Sequence, residues 1–131
     1  CILGEYNINT DEIRWVNGGH QPAVIRDEKG NYQKFESKSP PMGVISQKNK
    51  SIYSINKMKL NGHRFYAFTD GLSESETEQG EEIGIEGSID IIEQNFNLDT
   101  KKQLSDITKK VIKASGDNNL SDDLTLISIG K

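Results

Sequence analysis

Cysteine is nearly absent. The chain has one among 131 residues, so no internal disulfide can staple it, and it suits a reducing compartment. Long apolar runs are missing as well: no stretch approaches the ~18 residues that a membrane span needs, and no signal peptide opens the sequence. There is no basic excess, with 16 Lys and Arg against 20 Asp and Glu and a formal net charge of -4. Without a basic face or an arginine cluster to neutralise phosphates, nucleic acid is excluded as the main partner. Hydrophobic residues make up 33%, and adding the glycines still leaves the apolar share below that of ordinary globular domains. Such a composition fits a thin core, or part of a larger one.

The chain opens on "CILGEYNI" rather than on methionine. Its first side chains are apolar, where natural termini are usually polar and frayed. The reading therefore expects a segment that starts inside a longer protein, with a processed mature terminus as the alternative. Length sets a single domain of ordinary size over residues 1–131.

The first third reads as strands separated by turn clusters. "CILGEYNI" and "EIRWVN" flank a polar "NTD", "NGGHQP" leads to "AVIRD", and "EKGN" leads to "YQKFE". A loop with two prolines and a glycine, "SKSPPMGVISQKNK", follows. "SIYSINKM" alternates at period two and predicts a half-exposed strand, and "HRFYAFT" is more continuously apolar and so more central. "LSESETEQGEE" is acidic and predicts a short helix or surface loop, with a flexible flap as the sharper alternative. Ile85, Ile89, Ile92 and Phe96 then fall at helical spacing, as do Leu104, Ile107, Val111 and Ala114. Asp99 or Thr100 is placed to cap the second helix and Gly116 to end it. "LTLISI" closes the chain as a strand. Antiparallel strands, two helices and a final strand make an α+β class, not an alternating βα one.

Two acidic sites share a design. Asp70 follows an apolar strand and precedes a glycine, and Asp122 and Asp123 precede the last apolar strand. If both strands are central, their ends lie side by side and the carboxylates converge, which costs energy unless a cation neutralises them. Oxygen ligands without His or Cys favour a hard ion, Mg²⁺ or Mn²⁺. Each piece alone is weak, since Asp-Gly is a common turn and "SDD" can be a solvated one. "DNNLSDD" is not a calcium loop, because Asp122 stands where that loop needs Gly and Ser128 where it needs Glu. Nor is "FTDG" an aspartate-nucleophile motif, because Phe68 occupies the place of the second Asp.

"WVNGGHQPAVIR", "SPPMGVI", "FYAFTDGLSE" and "SDDLTLISI", in this order and spacing, resemble the SpoIIE-type branch of the PPM family. These are bacterial metal-dependent serine/threonine phosphatases related to the type-2C enzymes. "NGGHQP" is similar to that branch's Asn-Ala-Gly-His-Pro-Pro turn, "PPMG" to its Pro-Leu-Gly element, "TDGLSE" to its Thr-Asp-Gly-Leu-Thr-Glu, and "SDDLTLI" to its closing Asp-Asp-Met-Thr. The resemblance runs from about Ile2 to Ile129. It implies an α/β/β/α sandwich with two Mn²⁺ or Mg²⁺ ions at one edge, and direct attack of an activated water on the phosphate without a phosphoenzyme. Carried over by motif, Asp70 and Asp122 become catalytic metal ligands and Asp123 a secondary neighbour. Gly71 would leave the backbone room beside the metals. Asn17 and His20 could contact the substrate or metal-bound water, although a hairpin, with Gly18 and Gly19 at positive φ and Asn17 bonding the local backbone, is the favoured reading.

Three departures matter. Gly18 replaces the family's alanine, and His63 replaces an acidic turn residue. The upstream Asp-Gly element, whose aspartate bridges both ions, has no counterpart here. The expectation is thus the carboxy-terminal portion of a phosphatase domain, lacking its amino-terminal part and inactive alone. The function implied is a protein serine/threonine phosphatase in bacterial signalling. Its implied substrates are phosphoserine or phosphothreonine on regulators of sigma factors. The alternative is a non-catalytic partner-binding pseudophosphatase module. A cytoplasmic location is expected, within a larger membrane-attached sensor in one version, with no membrane contact by this segment. Exposed sheet edges lead to an expected homodimer.

Overall fold

The computed structural model describes residues 1–46, 52–77, 79–96, 99–114 and 122–130. The chain divides into two compact units, one of Cys1–Ala67 with Ile127–Lys131 and one of Phe68–Leu126.

In the first unit, β1 (Ile2–Asn7) and β2 (Glu12–Asn17) form an antiparallel pair running from Ile2 opposite Asn17 to Asn7 opposite Glu12. Asn7 closes their turn by accepting the amides of Asn9 and Thr10 on its side-chain oxygen. Asp11 takes a positive φ of 54° there and accepts the Tyr6 hydroxyl at 2.7 Å. Next come β3 (Ala23–Arg26) and β4 (Tyr32–Phe35). β5 (Asn56–Lys59), β6 (Arg64–Phe68) and β7 (Leu126–Ile129) complete the strands. They assemble as two sheets, ordered β1-β2-β5 and β4-β3-β6-β7.

The period of two decides which side chains meet between the sheets. Ile13 and Trp15 of β2 join Ala23 and Ile25 of β3, Phe65 and Ala67 of β6, and Leu60, with Ile2, Tyr6, Phe35, Met58 and Ile129 packed around them. Trp15 lies edge-on to both Phe35 and Phe65, with ring centroids 5.2 and 5.3 Å away, a geometry that suits the ring quadrupoles. The opposite face of the first sheet is charged. Arg14 reaches Glu5 and Glu12, and Lys57 reaches Glu12. These exposed pairs hold the cross-strand register more than they add stability.

Two sequence expectations shift here. The strand expected from Ser51 begins only at Asn56, where the ladder against β2 starts opposite Trp15. The residues before it are held by loop contacts instead, with Ser39 donating to the Ile52 carbonyl and Tyr53 to that of Pro41. "NGGHQP" is no hairpin either: it carries the chain from β2 in one sheet to β3 in the other.

The second unit holds α1 (Asp70–Ser73), α2 (Gly84–Gln94) and α3 (Thr100–Ala114). Asp99 caps α3 through the amide of Lys102, as its residue type predicts. Ile89, Ile92, Ile107 and Val111 are buried, whereas Leu104 is only half-buried. The stripe also includes Gln103, fully buried, whose amide donates to the Ile92 carbonyl of α2 at 3.3 Å. Gly116 lies outside the described residues, as does most of "DNNLSDD". The acidic segment after α1 is tied down by backbone bonds. Glu76 and Glu82 form an antiparallel bridge, and the Ile83 amide donates to the Ser75 carbonyl at 2.8 Å. Antiparallel sheets with a few helices give the α+β architecture that the element order implied.

Candidate functional site

Asp70 does not sit at the tip of β6. The strand ends at Phe68, and after Thr69 the chain turns at once into α1, with Asp70 as its first residue. An acidic residue in a first turn also complements the exposed amides there. The Asp70 side chain is exposed, while Gly71, Leu72 and Ser73 behind it are buried. α1 is closed by short local bonds: the Glu74 amide donates to the Asp70 carbonyl at 2.7 Å and the Ser75 hydroxyl to the Gly71 carbonyl at 2.6 Å. The turn that presents Asp70 is therefore built of main chain and small hydroxyls.

Asp122 and Asp123 are also exposed and lie just ahead of β7. Their segment meets the Asp70 segment directly. The Thr69 amide donates to the Thr125 carbonyl at 3.0 Å, extending the β6–β7 pairing beyond Phe68. The Thr69 hydroxyl donates to the Asp123 carbonyl at 2.8 Å and accepts the Thr125 amide at 2.9 Å. The Asp122 carboxylate accepts the amide of Asp123 at 2.7 Å. A Cβ placed on Gly71 would lie 2.5 Å from the Asp123 carbonyl oxygen, 2.9 Å from its carbon and 3.3 Å from the Asp122 carbonyl oxygen. Glycine at 71 is thus required by the neighbouring main chain. This is a more specific reason than room beside a metal.

Two acidic segments separated by 52 positions in sequence are thereby fastened side by side. Among the described residues no group of three or more His, Cys, Asp or Glu side chains is arranged to hold a metal ion. What the structure brings together is the two main chains, one carrying the exposed Asp70 and the other the exposed Asp122 and Asp123. An all-oxygen set of low denticity fits a hard divalent cation, which keeps several waters when only one or two carboxylates bind it.

Asn17 and His20 belong to the first unit. Asn17 is buried and spent on its own turn: its amide donates to the Gln21 carbonyl at 2.8 Å and its oxygen accepts the His20 amide at 2.9 Å. Ser37 donates to the Asn17 carbonyl at 3.0 Å. The His20 ring faces the Gln21 carbonyl at 3.3 Å. Gly19 has φ 65° with Pro41 atoms 2.6 Å from where a Cβ would stand. These bonds hold the "NGGHQ" turn and tie Ser37, just ahead of "SPPMG", to the end of β2. Thr69 was not legible as part of the site. It stands in the "TDGLSE" motif, but a hydroxyl residue ahead of Asp-Gly reads equally as an ordinary helix cap.

The family model of Stage II sporulation protein E (SpoIIE) matches residues 1–130. Protein IcfG of Synechocystis sp. (strain ATCC 27184 / PCC 6803 / Kazusa) is 24% identical over 130 residues, covering 98% of this chain and 20% of that protein. Among solved structures, the SiaA-PP2C domain of Pseudomonas aeruginosa superposes with a TM-score of 0.76 at 19% identity, over 97% of this chain and 49% of that one. The phosphatase domain of SpoIIE from Bacillus subtilis, presoaked with Mn, gives 0.64 at 16% identity, over 98% and 54%. The chain therefore spans a fifth of the curated relative and about half of these solved chains.

Proposed function

The chain belongs to the SpoIIE family, and on that premise we propose that it is the Asp70- and Asp122-bearing part of a metal-dependent protein serine/threonine phosphatase. One observation carries the reading. The main chains of Asp70–Gly71 and Asp122–Asp123 are in contact and cross-bonded through Thr69. In this proposal the Asp70 and Asp122 carboxylates hold a hard cation, Mn²⁺ or Mg²⁺, and Asp123 lies beside them. When bound, such a cation supplies Lewis acidity toward a phosphate monoester and a nucleophilic water at neutral pH. The chain's own residues then have positional work. α1 sets Asp70 at the rim, Gly71 admits the Asp123 carbonyl, and the burial of Leu72 and Ser73 anchors the turn. A carboxylate carried on a fixed main chain loses less backbone freedom on binding an ion than one on a mobile loop.

A second ion needs ligands beyond these carboxylates. In this reading they come from the rest of a domain about twice as long, of which this chain is the carboxy-terminal portion. The substrates are phosphoserine or phosphothreonine groups on regulatory proteins in bacterial signalling, with regulators of sigma factors as the first class to try. No helix of the described residues is long and apolar enough to cross a membrane.

The test is phosphate release from a phosphoserine protein by the full-length protein, with and without Mn²⁺. Release that needs Mn²⁺ and falls by at least about 100-fold in Asp70→Asn is expected, the scale on which a lost metal or charge contact acts. A folded, Mn²⁺-loaded protein that releases nothing would replace this reading with the partner-binding module.

A further inference from the structure

Thr69 occupies the N-cap position of α1, with extended backbone angles of φ -77° and ψ 165°. A threonine there ordinarily turns its hydroxyl onto an amide of its own first turn. This one makes no side-chain cap bond. Its hydroxyl is turned across to the other acidic segment, donating its single proton to the Asp123 carbonyl at 2.8 Å and accepting the Thr125 amide at 2.9 Å. Both hydroxyl bonds therefore go to main-chain groups on either side of Leu124, immediately after Asp122. The Thr69 amide adds a third tie, to the Thr125 carbonyl at 3.0 Å.

We propose that Thr69 is a positioning residue that sets the Asp122–Asp123 main chain against Asp70, and so fixes the spacing of the two carboxylates toward a divalent cation. The inference rests on the functional reading above and deepens it. A hydroxyl is suited to the task because it is donor and acceptor at once. It can clamp a carbonyl and an amide two residues apart without adding a charge beside two carboxylates. The cap bond that α1 forgoes is the local cost of that placement. Gly71 is the complementary half: the missing Cβ lets the Asp123 carbonyl come close enough for the Thr69 hydroxyl to reach it.

The test uses the full-length protein, Thr69→Val (equal in shape, without the hydroxyl) and Thr69→Ser (hydroxyl kept). Thr108→Val serves as control, because it removes another threonine bond to a main-chain carbonyl, that of Leu104 in α3. Two quantities are read: hydrogen exchange of the Thr125 amide, and Mn²⁺ affinity by direct titration without substrate. Thr69→Val should speed exchange at Thr125 and weaken Mn²⁺ binding by about 5- to 30-fold, the factor that one or two lost net hydrogen bonds represent. Thr69→Ser should restore Mn²⁺ affinity to within about threefold, and Thr108→Val should leave both quantities unchanged. Faster exchange with unchanged Mn²⁺ affinity would overturn the proposal alone, leaving Thr69 a structural tie. Weakening that serine does not rescue would overturn the role of the hydroxyl. If the wild-type protein binds no Mn²⁺, the functional reading falls and the clamp's role toward a cation falls with it. The exchange data would still report the tie itself.

Discussion

Gly71→Ala is the smallest change that should pull the two acidic segments apart. The added methyl would stand 2.5 Å from the Asp123 carbonyl oxygen and 2.9 Å from its carbon, well inside van der Waals contact. Both obstacles are main chain, and three Thr69 bonds hold that main chain in place. Relief requires moving the Asp123 peptide or α1, and overpacking of this kind costs ~1–3 kcal/mol. Alanine recovers up to ~1 kcal/mol over glycine in a helix interior. α1 is a single turn with Gly71 near its start, so only part of that gain applies. The net expectation is a loss of roughly 1–2 kcal/mol, read as a lower urea midpoint at unchanged slope. Mn²⁺-dependent phosphate release should fall further than stability alone explains, because the shift is at the carboxylates. Gly87→Ala in α2 is the matched control. There a Cβ meets only the Ile83 side chain, at 2.9 Å, and no main chain, so the cost should be smaller than at Gly71. Gly71→Ala with wild-type stability and wild-type response to Mn²⁺ would refute the packing argument.

Asp27 accepts the amides of Lys29 and Asn31 and the Asn31 side chain, at 2.9, 2.8 and 2.8 Å. The Asn31 side-chain bond, then its amide, hold the Asp27 carboxyl below its ordinary value of 3.8. A depressed carboxyl contributes stability above its unfolded pKa and loses it as pH falls through the folded one. The urea midpoint should therefore drop below about pH 4, and Asp27→Asn should flatten that part of the profile. Ile92→Ala, at a fully buried position in α2, should cost ~2–5 kcal/mol by calorimetry or urea melt. Arg14→Ala removes exposed pairs with Glu5 and Glu12 and should change stability by less than ~1 kcal/mol, less still in high salt.

Much of the fold was readable where side-chain pattern and backbone period agree. "EIRWVN" alternates from Glu12 to Trp15, and β2 occupies those six residues. Asp99 and Thr100 both announce the start of α3 by residue type, and Asp99 makes the cap bond. Legibility failed where a tertiary partner decides. β5 starts at Asn56 because its ladder with β2 starts opposite Trp15, and nothing in "SIYSINKM" marks that point. Gln103, a polar residue, is buried in α3, where its amide finds the Ile92 carbonyl, and no pattern in the sequence marks that. The site divides in the same way. The carboxylate-bearing motifs are visible as residue types at strand ends, and the resemblance joins them. Thr69 stood in a quoted motif, but its role was not visible, because it depends on a hydroxyl crossing to a segment 54 positions away. Gly71 was visible as a glycine, but its neighbour, the Asp123 carbonyl, was not.

A double-mutant cycle would decide whether Asp70 and Asp122 act as one centre. Mn²⁺-dependent phosphate release from a phosphoserine protein would be measured for the full-length protein, Asp70→Asn, Asp122→Asn and the double variant. Groups that act as a unit are non-additive. Either single change should remove most of the activity, and the double change should remove little more. Losses that simply add, or a single variant that keeps full Mn²⁺-dependent activity, would contradict a single centre.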